Sequence, residues 1–301
     1  MKSTLKKSLI ALPLSASLLL ISCGGNPHEG DDMTHNDTIK VDSSALNGEM
    51  EAELNFQVPS PGEMLTFIKM VGGKSNKSTA FLNPIDNNKN YNDSKTKALN
   101  FGIYSCDLSY CSTFEMGVEA FKYFKVVKQL GDDIGVSTSI DASMAKRLEK
   151  NVGNADSLAA ITDDLYYNSF DALQNGKQGN VLALVVAGGY IESLYIVTNL
   201  VKYEANSPAI QRIADQKYTL ENIIDFLKKY ESDAAVVDAI KELSGLKAEF
   251  DKLKESTTGE IKGKEGVKIL GGGTTIEMTA EQYKLISEKI KTIRNSFTLS
   301  K

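Results

Sequence analysis

Beyond about residue 59, apolar residues recur at intervals of three and four along most of the chain, and strict alternation is nearly absent. That period belongs to amphipathic helices, not strands. The spacing predicts helices near 94–111, 113–130, 139–151, 156–174, 180–204, 208–216, 220–230, 233–254 and 280–297. Ahead of them, Ser60-Pro61-Gly62-Glu63 is a helix start, with a Ser N-cap, Pro in the first turn and Glu three residues after the cap. This helix carries Met64, Leu65, Phe67, Ile68 and Val71 and stops at Gly72-Gly73. Further punctuation comes from Gly131 after Leu130, Ser207-Pro208, Thr219 before Leu220, and Thr279 with Gln282 as a capping box. Residues 74–93 are polar and turn-rich around Asn83-Pro84, as an ordered loop or lid would be. Between 257 and 278 the helical period breaks; Val267 to Leu270, Gly271-Gly272-Gly273 and Thr274 to Met278 fit a small β-hairpin near 265–278. The expected fold is all-α, a multi-helix bundle of about nine helices with that one excursion, and residues 59–301 form its globular domain. Connections are short, so sequential helices should pack antiparallel.

The first 58 residues follow a different pattern. Lys2, Lys6 and Lys7 precede a largely apolar run from Leu9 to Ile21, then small Ser22 and Cys23. That is the layout of a secretory signal peptide, and the run is short for a membrane span. Leu20-Ile21-Ser22-Cys23 resembles a bacterial lipobox, which implies cleavage of residues 1–22 and acylation of Cys23. Several acyl chains give stable anchoring where one chain binds only marginally. Residues 24–58 are rich in Gly, Asn, Asp, Thr and Glu and bury too little to offset ordering, so 23–58 reads as a lipidated Cys followed by a flexible tether. Gly24 stands where inner-membrane retention in enteric lipoproteins uses Asp, so the expected location is the envelope, at the outer membrane. Glu29, Asp31 and Asp32 are an acidic group farther from the Cys than a surface-export signal usually is, which leaves periplasmic or surface orientation open.

Composition narrows the chemistry. The formal charge is -5, and losing three lysines and no acid with residues 1–22 takes it to -8. An acidic chain is a poor match for nucleic acid or anionic lipid headgroups, so the expected hold on the membrane is the anchor at Cys23 alone. The two histidines, His28 and His35, lie in the tether, which removes a histidine relay or a histidine metal site from the folded part. Cys23 is remote from Cys106 and Cys111, so no thiolate metal set forms, and no metal or other cofactor is expected. Cys106 and Cys111 are five apart on one predicted helix, beyond the reach of a disulfide unless the helix breaks, and two unlinked buried thiols are preferred. The run Gly271 to Thr275 lacks the Lys-Ser/Thr pair of a phosphate loop and reads as a turn.

Two helices carry the candidate site. Val181 to Val201 contains one charged residue, Glu192, and Gly188, Glu192, Tyr195 and Asn199 form one polar stripe on an otherwise apolar rod. Such a rod is the central helix of a bundle or, less in keeping with a mid-span Glu, a membrane span. Helix 94–111 carries a matching stripe of Asn100, Tyr104 and Asp107, reaching toward Cys111. The candidate ligand-binding set is therefore Asn100, Tyr104, Asp107, Glu192, Tyr195 and Asn199, tyrosines around two carboxylates that suit a cationic or polyhydroxylated molecule or a hard cation bound by oxygens. The competing reading is a satisfied polar network that fixes helix register, and it is preferred. Arg is the natural counterion for either carboxylate, and the chain has three, Arg147, Arg212 and Arg294. A weak echo, Gly102-x-Tyr104-x-x-x-Leu108 and Gly188-x-Tyr190-x-x-x-Leu194, is best explained by glycines that let two helices approach closely.

Pro59-Ser60-Pro61, Leu82-Asn83-Pro84, Lys97 to Tyr104 with Asp107-Leu108-Ser109-Tyr110, and Gly188 to Tyr195 resemble an uncharacterised group of helical lipoproteins from Bacteroidota, over about Val58 to Phe297. The resemblance implies an exported all-α protein and brings no catalytic residues. The expected function is a non-catalytic envelope lipoprotein that binds a small ligand or an envelope protein. The alternative is a carboxylate/tyrosine enzyme acting on glycan or peptidoglycan, with Asp107 and Glu192 as its acid/base pair. Exposed carboxylates in a cleft would favour the enzyme, and carboxylates sealed by a basic side chain would favour the binder.

Overall fold

Short polar side chains set where the helices begin. Ser60 accepts from Glu63 N–H, Asp93 from Thr96, Asn154 from Ser157, Ser207 from Ile210 and Asp233 from Ala235, while Thr279 and Gln282 complete a reciprocal capping box. The computed structural model describes residues 60–71, 77–137, 140, 142–257, 261–262, 268–269 and 274–299, all within the unit Glu53–Lys301. The expected signal peptide, Cys23, the tether and the Gly271-Gly272-Gly273 turn lie outside the described residues. In chain order the helices are α1 (Pro61–Met70), α2 (Ser94–Thr113), α3 (Gly117–Ile134), α4 (Ala142–Lys150), α5 (Ala155–Asn175), α6 (Gly179–Leu200), α7 (Pro208–Ala214), α8 (Gln216–Lys228), α9 (Ala234–Phe250) and α10 (Ala280–Thr298). A 3₁₀ turn spans Ile85–Asn90. The fold is an all-α multi-helix bundle with a small β element, as the periodicity predicts.

The two stripe-bearing helices form its centre. α2 and α6 pack against each other more extensively than any other pair, and both are buried nearly all round. Gly102 of α2 lies against main-chain atoms of Val185 and Gly189, and Gly188 of α6 lies against the Leu99 carbonyl. A Cβ at either position would overlap backbone, so the Gly-x-Tyr-x-x-x-Leu echo has a packing cause. Around this pair, α1, α3 and α5 pack on α2, while α8, α9 and α10 pack on α6. The length and apolarity of α6 would let it cross a membrane, yet most of it is buried inside the bundle. Phe101, Tyr104, Tyr110, Phe114, Phe124 and Phe250 are the bulkiest fully buried side chains.

Several boundaries differ from the periodicity reading. α3 continues past Gly131 to Ile134 and ends where Gly135 adopts φ 91°, with Val136 N–H closing on Gly131 O at 2.9 Å. Gly131 is a packing glycine instead, tight against Ile140 and Phe101. α8 starts at Gln216, not Leu220, because Asp215 keeps helical angles and joins it to α7. α9 stops at Phe250, since Lys254–Thr257 becomes strand β1. The expected hairpin partners are also redistributed. β2 (Ile261–Lys262) pairs antiparallel with β3 (Lys268–Ile269), and β1 pairs antiparallel with β4 (Thr274–Glu277), with Glu255 opposite Ile276. The register is set by burial, because Ile276 and Met278 turn inward beside α7.

Candidate functional site

α6 presents Glu192 to α10, where Arg294 meets it with two parallel bonds. Arg294 Nε donates to Glu192 Oε2 at 2.9 Å and Nη2 donates to Oε1 at 3.3 Å. The guanidinium lies 4.9 Å from the centre of the Tyr195 ring, which covers it. From the other side α2 places the buried Asp107 carboxyl beside Glu192, and Asn83 N–H donates to Asp107 Oδ2 at 3.2 Å. Asp107 and Glu192 are 0% exposed and Arg294 is 8% exposed, so the triad is sealed from solvent.

A second layer of side chains ties the triad to the loop before α2 and to the last turn of α10. Asn100 Nδ2 donates to Thr96 O at 2.8 Å and to Phe297 O at 2.9 Å, and its Oδ1 accepts from Asn83 Nδ2 at 3.1 Å. Asn83 Nδ2 also donates to Tyr91 Oη at 3.0 Å, and Tyr91 Oη donates to Thr298 O at 3.3 Å. Tyr104 Oη donates to Pro84 O at 2.7 Å. The carbonyls of Phe297 and Thr298 belong to the last turn of α10 and have no intrahelical partner, so these bonds cap that helix from the core. Of the polar loop predicted over 74–93, residues 77–93 are described, and they work as a strap pinned by Asn83, Pro84 and Tyr91.

The six candidate residues therefore do not line one cavity. Asn100, Tyr104, Asp107 and Glu192 are buried in the network, and Tyr195 closes its edge. Asn199 is exposed, donates to Tyr195 O in its own helix at 2.7 Å, and shares a surface groove with Tyr195, Tyr283 and Lys291. Of the two stripes, Asp107 and Glu192 come together while Tyr195 and Asn199 turn toward α10, and of the three arginines Arg294 is the one that meets Glu192. The strap and α10 fill the space around the carboxylates, which the stripes alone do not reveal.

Burial, then the neighbouring Glu192 carboxyl, pushes Asp107 well above the usual carboxylate range. Burial also raises Glu192, but the Arg294 guanidinium opposes it directly. Burial works against the Arg294 charge, and Glu192 more than offsets it, leaving that cation firmly charged. Burial and the proximity of the two carboxyls therefore favour a retained proton, and Arg294 beside Glu192 favours it on Asp107. Asp107 Oδ1 is buried with no hydrogen-bond partner among the described residues, which suits a neutral acid better than a carboxylate. The fold holds a proton that the unfolded chain releases above pH ~4, so stability falls as pH rises from there toward the folded-state value. Asp107→Asn mimics the neutral acid and is expected to fold and to remove a loss of about 1.4 kcal/mol per pH unit over that window. Urea melts at acidic and alkaline pH check this; an unchanged slope would place the proton elsewhere.

A separate pocket of about 210 Å³ lies on another face of α6, between the start of α1, Tyr166 of α5 and the α7–α8 joint. Ser193, Arg212, Asp215, Gln216 and Thr219 supply its polar lining. Arg212 stacks 5.4 Å from the centre of the Phe67 ring, and its Nε is buried without an acceptor. Periodicity missed this site, since Arg212 stands in a seven-residue helix whose neighbours come from three distant elements. Among the described residues no group of three or more His, Cys, Asp or Glu could hold a metal. Cys106 and Cys111 are free, buried thiols on an unbroken α2, and burial raises both well above the usual thiol range. No family model, curated protein or solved structure matches this chain.

Proposed function

We propose that the protein is a lipid-anchored envelope lipoprotein whose helical domain binds a small ligand or a partner protein without turning it over, similar in kind to the helical lipoproteins of Bacteroidota that its motifs resemble. The observation that carries the non-catalytic reading is the sealing of Asp107 and Glu192 by Arg294 at zero exposure. An acid/base pair must reach the atoms whose protons it moves, and among the described residues these buried carboxylates lie beside each other and bond to Asn83 and Arg294. That geometry speaks against the glycan or peptidoglycan enzyme, which needs both carboxylates in an open cleft. Support for the anchor comes from the coincidence of Lys2, Lys6 and Lys7, the apolar run and Ser22-Cys23.

The anchor is tested by one substitution. Cys23→Ala is expected to abolish incorporation of labelled palmitate and to release the protein from the membrane fraction or leave it unprocessed. A variant that is still processed and membrane-bound would remove the lipoprotein reading.

A further inference from the structure

The pocket beside α6 holds two opposite charges that do not meet. Arg212 and Asp215 both line it, yet they form no ion pair with each other. Of the three arginines, Arg147 is paired with Asp164 at 2.8 Å and Arg294 with Glu192 at 2.9 Å. Among the described residues Arg212 makes no ion pair, and its buried Nε has no acceptor. A guanidinium left without an anion in a partly buried place is costly, and five fixed donors are suited to a planar oxyanion. Stacking on Phe67 holds the fork in place without neutralising it. Asp215 accepts from Gln211 Nε2 at Oδ1, at 2.8 Å, and among the described residues no side-chain donor is seen on Oδ2.

Ser193, Gln216 and Thr219 offer hydroxyl and amide groups, while Met64 and Tyr166 supply apolar wall. A volume of about 210 Å³ is below the roughly 300–1,000 Å³ of pockets that take drug-sized molecules. We infer that this pocket binds a small zwitterion of α-amino-acid size, with its carboxylate on the Arg212 fork and its ammonium on Asp215. An inorganic dianion fits worse, because Asp215 would face it and Arg212 is the one cation among the described lining residues. The inference rests on the non-catalytic binding reading and gives it a ligand class.

The test uses the full chain in detergent, melted with each standard amino acid, its C-terminal amide, its N-acetyl form, and inorganic phosphate. At least one amino acid is expected to raise Tm by roughly 2–4 °C while its two capped forms and phosphate do not. Arg212→Gln is expected to weaken that amino acid roughly 10- to 100-fold, the loss of a charge-assisted bidentate contact. Asp215→Asn is expected to weaken it as well, and either variant suffices if the other fails to fold. The proposal is overturned if no amino acid shifts the melt, if a capped form shifts it equally, or if phosphate alone does. Conversion of the bound amino acid, read by mass spectrometry, would refute the non-catalytic reading while leaving the site in place.

Discussion

Arg294→Met is expected to destabilise the fold by about 3–5 kcal/mol at neutral pH, the usual cost of stranding one charge of a buried pair. Methionine fills much of the space of the arginine stem, so the loss reports the missing charge more than a cavity. Without the guanidinium, Glu192 and Asp107 stay together at zero exposure with no cation to compensate either. Both must then be protonated for the bundle to close. The folded state of the variant holds two protons that the unfolded chain releases above pH ~4, so each contributes a loss of about 1.4 kcal/mol per unit as pH rises. The variant should therefore recover much of its stability in mild acid. Chemical denaturation across pH reads this directly, and a variant equally weak at every pH would mean that Arg294 acts through packing alone.

Gly188→Ala is the second large effect. In an exposed helix this change gains about 1 kcal/mol from propensity. Here the new Cβ meets the Leu99 carbonyl and forces α2 away from α6 along the most extensive contact in the fold. The expected outcome is a net loss of at least the ~1–3 kcal/mol typical of overpacking, because backbone and not a flexible side chain must yield. Gly102→Ala should behave alike, as its Cβ meets Val185 O and Gly189 N. Gly153→Ala is the control, since nothing lies within 4 Å of a Cβ there. Thermal melts of the three variants decide it; equal melting temperatures would refute the close crossing.

Much of this architecture is legible in residue order, and the reason is local. Caps such as Ser60, Ser207 and Thr279 with Gln282 act within three residues, and the apolar period marks a helix wherever it persists. The stripes on α2 and α6 identify their shared face because an isolated Glu192 on an apolar rod demands a partner. What residue order hides is which distant element supplies that partner. Arg294 is 102 positions from Glu192, and Phe297 O is 197 positions from Asn100. Three arginines were eligible and nothing local distinguishes them. The strap escapes for the same reason, because Asn83 and Tyr91 read as turn residues until α10 ends against them. The strand pairing is misread since the Gly271-Gly272-Gly273 run suggests a tight turn, whereas β4 reaches back to β1 to bury Ile276.

The sealed triad is the centre of this account, and a double-mutant cycle between Glu192 and Arg294 at neutral pH tests it most directly. Glu192→Leu and Arg294→Met alone should each cost about 3–5 kcal/mol, whereas the double variant should be less destabilised than either, because an apolar pair leaves no buried charge stranded. Two single variants within about 0.5 kcal/mol of the wild type, adding independently in the double, would contradict it and place Glu192 in contact with water.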